Sequence, residues 1–155
     1  MFIWLESTSY AEWIQISLWG WAIMLVLHAV GTATVVGVNF VVGLRLVGFF
    51  RPIPSKSLLG LIHIAWAAVA LNTFSGFSLF MSAASNYVED VWFLLKLLLV
   101  ILASVATWQV QRSVRLNGDA WDSADAVSAT SLRWGIGVLV LWTAVVLVGR
   151  LIAYL

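Results

Sequence analysis

The sequence predicts an all-α integral membrane protein: one domain, residues 1–155, folded as an up-down four-helix bundle with both termini on the periplasmic side of a bacterial inner (cytoplasmic) membrane. Three observations carry that prediction. Of 155 residues, 63% are hydrophobic and only 10% are charged, with a mean hydropathy of +1.02, far from the composition of a water-soluble globule. Four apolar segments each reach the ~20 residues that a helix needs to cross hydrocarbon. The cations gather on alternate connections, all on one side of the bilayer.

The first segment, 13–46, is long enough to tilt or to project from the bilayer. It stops at Arg51-Pro52-Ile53-Pro54, because proline lacks an amide donor and restricts the residue before it. Ser55 then stands as a cap for the second segment, 58–81. Asn86, three residues ahead of Glu89, resembles a capping box for the third, 91–111. The stretch LNGDAWDSADAVSATS that follows is polar. It has room for a short surface helix, with Ser131 as the cap of the fourth segment, 132–155. No internal repeat is evident, and short connections favour antiparallel neighbours.

Direction follows from charge. Arg45, Arg51 and Lys56 flank the first connection, and Arg112, Arg115 and Arg133 the third; Glu6, Glu12, Glu89 and Asp90 lie on the other side. The positive-inside rule places the cations in the cytoplasm. Trp13, Tyr87, Trp92, Trp108, Trp134 and Tyr154 suit the two interfacial belts. The first residues, MFIWLESTSYAEW, lack a basic stretch and carry two glutamates, unlike a cleaved signal peptide. Cysteine is absent, which excludes disulfides, thiolate metal sites and cysteine nucleophiles. A net charge of +1 gives no reason to expect a nucleic-acid partner. The bilayer itself is the expected surround.

The informative polar residues are those inside the spans. Residues equally far from a turn of an antiparallel pair share a depth. His28 thereby falls level with about Phe77 on the second span and about Leu97 on the third, within one helical turn of Lys96. Arg150 on the fourth falls at about residue 93. A histidine, a lysine and an arginine from three helices thus meet in one slab of the periplasmic leaflet. His28 shares its helix face with Trp21, Met24, Thr32, Val35 and Asn39, with Gly31 adjoining. His63 shares its face with Ala70, Phe74, Phe77 and Met81. It lies some 20 Å below His28 by helical rise, so the two cannot ligate opposite sides of one haem; a second or inter-chain site would be needed.

Each residue has a plainer reading beside the functional one. His28 can be a neutral histidine bonded within the bundle, Lys96 can snorkel to the interface, and Arg150 can anchor the chain end. Asn39, Asn72, Thr32 and Ser75 can be helix-to-helix hydrogen bonds. Ionisable groups at mid-depth are functional by default, and b-type haem fits the set: His28 as axial imidazole, Lys96 as second ligand in its neutral form or as propionate partner, Arg150 as propionate partner. Copper is the other cofactor considered, through His28, Met24 and Met81, without a methionine-rich or multi-histidine cluster to support it.

Three stretches, LHAVGTATVVGVNFVVGLRLVGFFR, NTFSGFSLF and YVEDVWFLLKLLLVILASVATWQVQR, resemble the core of HemJ-type protoporphyrinogen oxidases and related CopD-like small membrane proteins. The resemblance spans about residues 20–115. It rests on His28 after a leucine, Gly31 and Gly37 behind it, Arg45 at the inner end, and Trp92 with Lys96 and Leu97 opening the third span. It implies haem b held by His28, with Lys96 as second ligand or neighbour. Phe93 and Leu94 stand where the HemJ pattern has a histidine, so the resemblance carries scaffold and haem rather than porphyrinogen oxidation. The expected function is electron transfer with a quinone or a periplasmic redox partner, as a homo-oligomer or a subunit of a larger membrane complex. Two other classes stay open: a cofactor-free accessory subunit, and a copper-handling protein.

Overall fold

A computed structural model of the chain describes residues 2–123 and 126–152. Among these residues all regular structure is helical: α1 (Ile3–Glu6), α2 (Ser9–Ile16), α3 (Leu18–Leu46), a 3-10 turn (Ser55–Ser57), α4 (Leu58–Met81), α5 (Ala84–Glu89), α6 (Val91–Ser123) and α7 (Ala129–Leu151). Four helices, α3, α4 with its leading turn, α6 and α7, are long and apolar enough to cross a membrane. That is the pattern of a multi-pass membrane protein. Val26, Val30, Ile64, Phe74, Leu98, Ile101, Val140 and Leu147 stand exposed on their outer faces, as lipid contact requires.

The helix ends differ from the sequence expectations in ways that local chemistry explains. The first apolar segment is broken at Ser17, where the backbone is extended and the side-chain oxygen accepts the amides of Trp19 and Gly20, starting α3 afresh. Residues 9–16 fold back as α2, and Gly20 permits the approach: a Cβ there would lie 2.7 Å from the Trp13 carbonyl oxygen. Ser55 does not cap α4, which has no side-chain cap; it is taken up by Asp122, described below. The Asn86–Glu89 stretch belongs to the separate α5, and Asp90 instead accepts the Trp92 amide at 2.8 Å to open α6. α6 does not stop at Gln111 but runs on through Ser123, because Asp119 and Asp122 are needed against the α3–α4 connection. Ser128, not Ser131, caps α7; Ser131 Oγ donates across to the Leu46 carbonyl at 2.8 Å. The expected last residues of the fourth span, Tyr154 among them, lie outside the described residues.

α3 packs along α4 on one side and α7 on the other, α6 packs along α7, and α4 meets α6 more loosely. Val35, Val42, Leu46, Ile62, Ala103, Val110, Val138 and Trp142 form the core between them. α3 and α7 come closest at Gly43 and Gly135, where a Cβ on Gly135 would sit 2.9 Å from the Gly43 carbonyl. Small residues at such crossings are how helices associate where lipid is as apolar as leucine. Mid-bundle, Thr107 Oγ1 donates to Asn39 Oδ1 at 2.7 Å and accepts from Trp142 Nε1 at 3.2 Å, tying α3, α6 and α7 together. α1, α2 and α5 lie at the end opposite the Pro52–Pro54 connection, with Glu6 accepting the Ser85 amide at 2.6 Å.

Candidate functional site

The site is built at the crossing of α3 and α4, where polar and small residues replace large ones. A Cβ on Gly31 would lie 3.1 Å from Asn72 Cβ, and Thr32 Oγ1 donates to Asn72 Oδ1 at 3.0 Å. One turn along, the half-buried His28 ring rests on Gly76, where a Cβ would come within 3.0 Å of Cε1. Glycine leaves the imidazole its place.

The ring is anchored through Nδ1. Ser75 Oγ is fully buried, lies within reach of the Leu71 carbonyl at 2.9 Å and the Asn72 carbonyl at 3.2 Å, and sits 3.3 Å from His28 Nδ1. A hydroxyl can accept from Nδ1–H or donate to a bare Nδ1, so the contact is compatible with either tautomer. No hydrogen bond to Nε2 forms among the described residues. In the tautomer with its proton on Nδ1, Nε2 carries the free lone pair that a ligating histidine needs.

Lys96 lies on α6, against α7. Its stem crosses Gly149 of α7, where a Cβ would sit 3.4 Å from Cε and 3.6 Å from Nζ. His28 and Lys96 are within electrostatic reach of one another. Among the described residues neither has a carboxylate at ion-pair distance, unlike Arg45 with Asp122 and Lys56 with Asp119. Packing is loosest here. No α6 residue from 91 to 102 is buried, whereas Ala103, Ala106, Thr107, Val110, Val114 and Gly118 are. The terminal side of this region is covered by Tyr10, whose hydroxyl lies 2.9 Å from Ser78 Oγ and donates to the Met24 sulfur at 3.8 Å. Phe80 stacks on Phe93 at 5.6 Å between α4 and α6.

His28 and Lys96 thus fall within electrostatic reach, on helices that do not pack along one another. Arg150, adjacent to Gly149, is exposed. His63 is exposed near the other end of α4, beside Gln111 and Trp66. Of the thioethers considered for copper, Met24 is buried with its sulfur engaged by Tyr10. No group of three or more His, Asp or Glu side chains able to hold a metal ion gathers among the described residues.

Gly76, on which His28 rests, lies in NTFSGFS, a stretch unusually polar for the centre of a span in which a glycine allows close approach. Gly149, under Lys96, carries no side-chain signal, and Asp122 lies far along the chain from its partners, so sequence reasoning singles out neither. Arg45, buried with 6% exposure, donates to Asp122 Oδ1 at 2.7 Å and to the Ile53 carbonyl at 2.6 Å. Ser55 gives its amide and its hydroxyl to the same carboxylate at 2.8 and 2.6 Å. This cluster closes the loop end of the fold. No protein-family profile, curated protein or solved structure matches the chain.

Proposed function

We propose that the protein is a four-span, b-haem-binding electron carrier of a bacterial inner membrane, an up-down bundle with both termini periplasmic, related in scaffold to HemJ-type and CopD-like proteins. The observation that carries this reading is the setting of His28: its Nδ1 lies 3.3 Å from the buried Ser75 hydroxyl, no hydrogen bond forms at Nε2 among the described residues, and Lys96 is within electrostatic reach without a carboxylate partner among those residues. The donor set fits haem b. An imidazole is a standard axial ligand, and the lysine amine can serve as the second ligand or pair with a propionate. Arg150 is the outlying propionate partner. When bound, the haem supplies one-electron redox chemistry; the chain orients the imidazole, supplies positive charge, and shields the region with Tyr10, Phe80 and Phe93.

The test is a set of absorption spectra on protein purified from cells supplied with haem precursor. Wild type is expected to show a Soret band and, on dithionite reduction, a sharp α-band. His28→Ala is expected to lose most of the haem. Lys96→Met is expected to retain haem with a shifted Soret maximum or a changed midpoint potential. Wild-type protein that is folded but colourless sinks the proposal. It would favour a cofactor-free membrane subunit, and metal analysis of the same sample would reveal copper.

A further inference from the structure

The chain ahead of α3 folds back over the polar region of the α3–α4 crossing, and three features set it apart from the bundle. It turns on Ser17, whose extended backbone (φ −78°, ψ 129°) breaks the helix; a few such residues are enough to carry a hinge. It is thinly anchored: α1 and α2 bury Leu5, Ala11 and Ile14, a small apolar contact by the standard of a stable unit. Its seam with the α4–α5 connection is also unfilled. An open cavity of about 340 Å³ lies there, with Glu6, Glu12, Gln15, Ser82 and Asn86 in its lining. Ser85 Oγ, buried beside it, has no hydrogen-bond partner among the described residues.

Much of what holds this segment down is polar. On α2, the Tyr10 hydroxyl lies 2.9 Å from Ser78 Oγ of α4 and donates to the Met24 sulfur of α3 at 3.8 Å. Met24 is about one helical turn from His28, and Ser78 about one turn from Ser75, so Tyr10 closes the terminal side of the His28 region. On α1, Glu6 accepts the Ser85 amide of α5 at 2.6 Å. The fold-back is close: besides the Trp13 oxygen, a Cβ on Gly20 would meet Ile14 Cα at 3.0 Å. Hydrogen bonds that water can replace, over a small apolar contact, make a segment that opens at modest cost.

We infer that α1 and α2 form a lid hinged at Ser17 and latched by Tyr10 and Glu6, whose opening exposes the His28 region from the terminal end of the bundle. The bundle stays folded when the lid lifts, because its core cluster contains no residue of α1 or α2. The inference rests on packing and not on the haem. A colourless protein whose α1–α2 segment opens keeps the lid and loses the haem reading; a haem protein whose segment never opens does the reverse.

The chain has no cysteine, so a thiol at Ala11, on the inner face of α2 and 0% exposed, reports opening through its reaction with a charged, water-soluble maleimide in nanodiscs. Ala11→Cys is expected to label far more slowly than the exposed Ser7→Cys. Adding Tyr10→Phe or Glu6→Ala is expected to speed its labelling about three- to tenfold, the effect of one lost hydrogen bond on an opening equilibrium. Gly20→Ala, which forces α2 off α3 while sparing both latches, is expected to speed it as well. Hydrogen exchange needs no introduced thiol: amides of 3–16 are expected to exchange well before those of 103–114, and Tyr10→Phe to accelerate the first set alone. Labelling unchanged in all three variants overturns the lid. So does exchange of both segments at one common rate, which would make α1 and α2 part of a single unfolding unit with the bundle.

Discussion

At the scale of single residues, Asp122 does the most work for its size. One carboxylate accepts from a buried guanidinium, a backbone amide and a serine hydroxyl, and all three partners belong to the α3–α4 connection. Removing it leaves the 6%-exposed Arg45 with a charge that solvent reaches poorly. The loss of one partner from a buried pair costs about 3–5 kcal/mol; Asp122, at 28% side-chain exposure, belongs at or below the low end, near ~3 kcal/mol. Asp122→Ala is therefore expected to lower the thermal midpoint in detergent clearly. Lys56→Ala, which breaks only the exposed pair with Asp119, is expected to shift it by little, since such pairs contribute about 0–1 kcal/mol. Equal shifts in the two variants would show that the cluster is not a structural clamp. Sequence reading placed Arg45 and Arg51 correctly among the cations of this end, yet gave no sign that Arg45 was buried. Its partner lies beyond the point at which hydropathy suggested that the third helix should end.

Between helices, the arrangement is graded from tight to loose. α3, α6 and α7 are locked at mid-depth by Thr107, which donates to Asn39 and receives from Trp142. Thr107→Val keeps the shape, removes the hydroxyl and leaves both neighbours short of a partner. The expected loss is about 1–2 kcal/mol, in line with interhelical hydrogen bonds within membranes. Thermal unfolding in detergent reads it, and a shift no larger than that of an exposed substitution such as Thr143→Val would count against the network. Farther toward the termini, α6 buries nothing before Ala103, and Lys96 lies in this stretch. Matching heights along antiparallel spans sets His28 and Lys96 at one depth, because helical rise is fixed at about 1.5 Å per residue. Faces were harder. Trp21, set on the His28 face by a 100° rotation per residue, is exposed, while Met24, Val35 and Asn39 from the same face are buried. The stripe turns outward near the start of α3, where α2 folds back over it. Nothing in the periodicity reveals Ser17 as a break, because a serine inside an apolar run is equally compatible with a continuous helix.

For the whole molecule, sidedness decides how the two imidazoles relate to the membrane. Both described chain ends lie near the same end of the fold as α5, since Glu6 bonds the Ser85 amide and Gly149 underlies Lys96; Arg51, Lys56, Arg112, Arg115 and Arg133 sit toward the other. If the cationic end faces the cytoplasm, the His28 region opens toward the periplasmic leaflet and His63 toward the cytoplasmic one. The chain contains no cysteine, so one introduced thiol reports its own location without background. Ser7→Cys, in the turn between α1 and α2, is expected to react in intact cells with a membrane-impermeant maleimide. Asn117→Cys, exposed on the far part of α6, is expected to react only after the cells are opened. The reverse pattern would invert the topology and exchange the leaflets toward which His28 and His63 open. Labelling at both positions in intact cells would point to a mixed orientation, which the one-sided placement of six cations argues against.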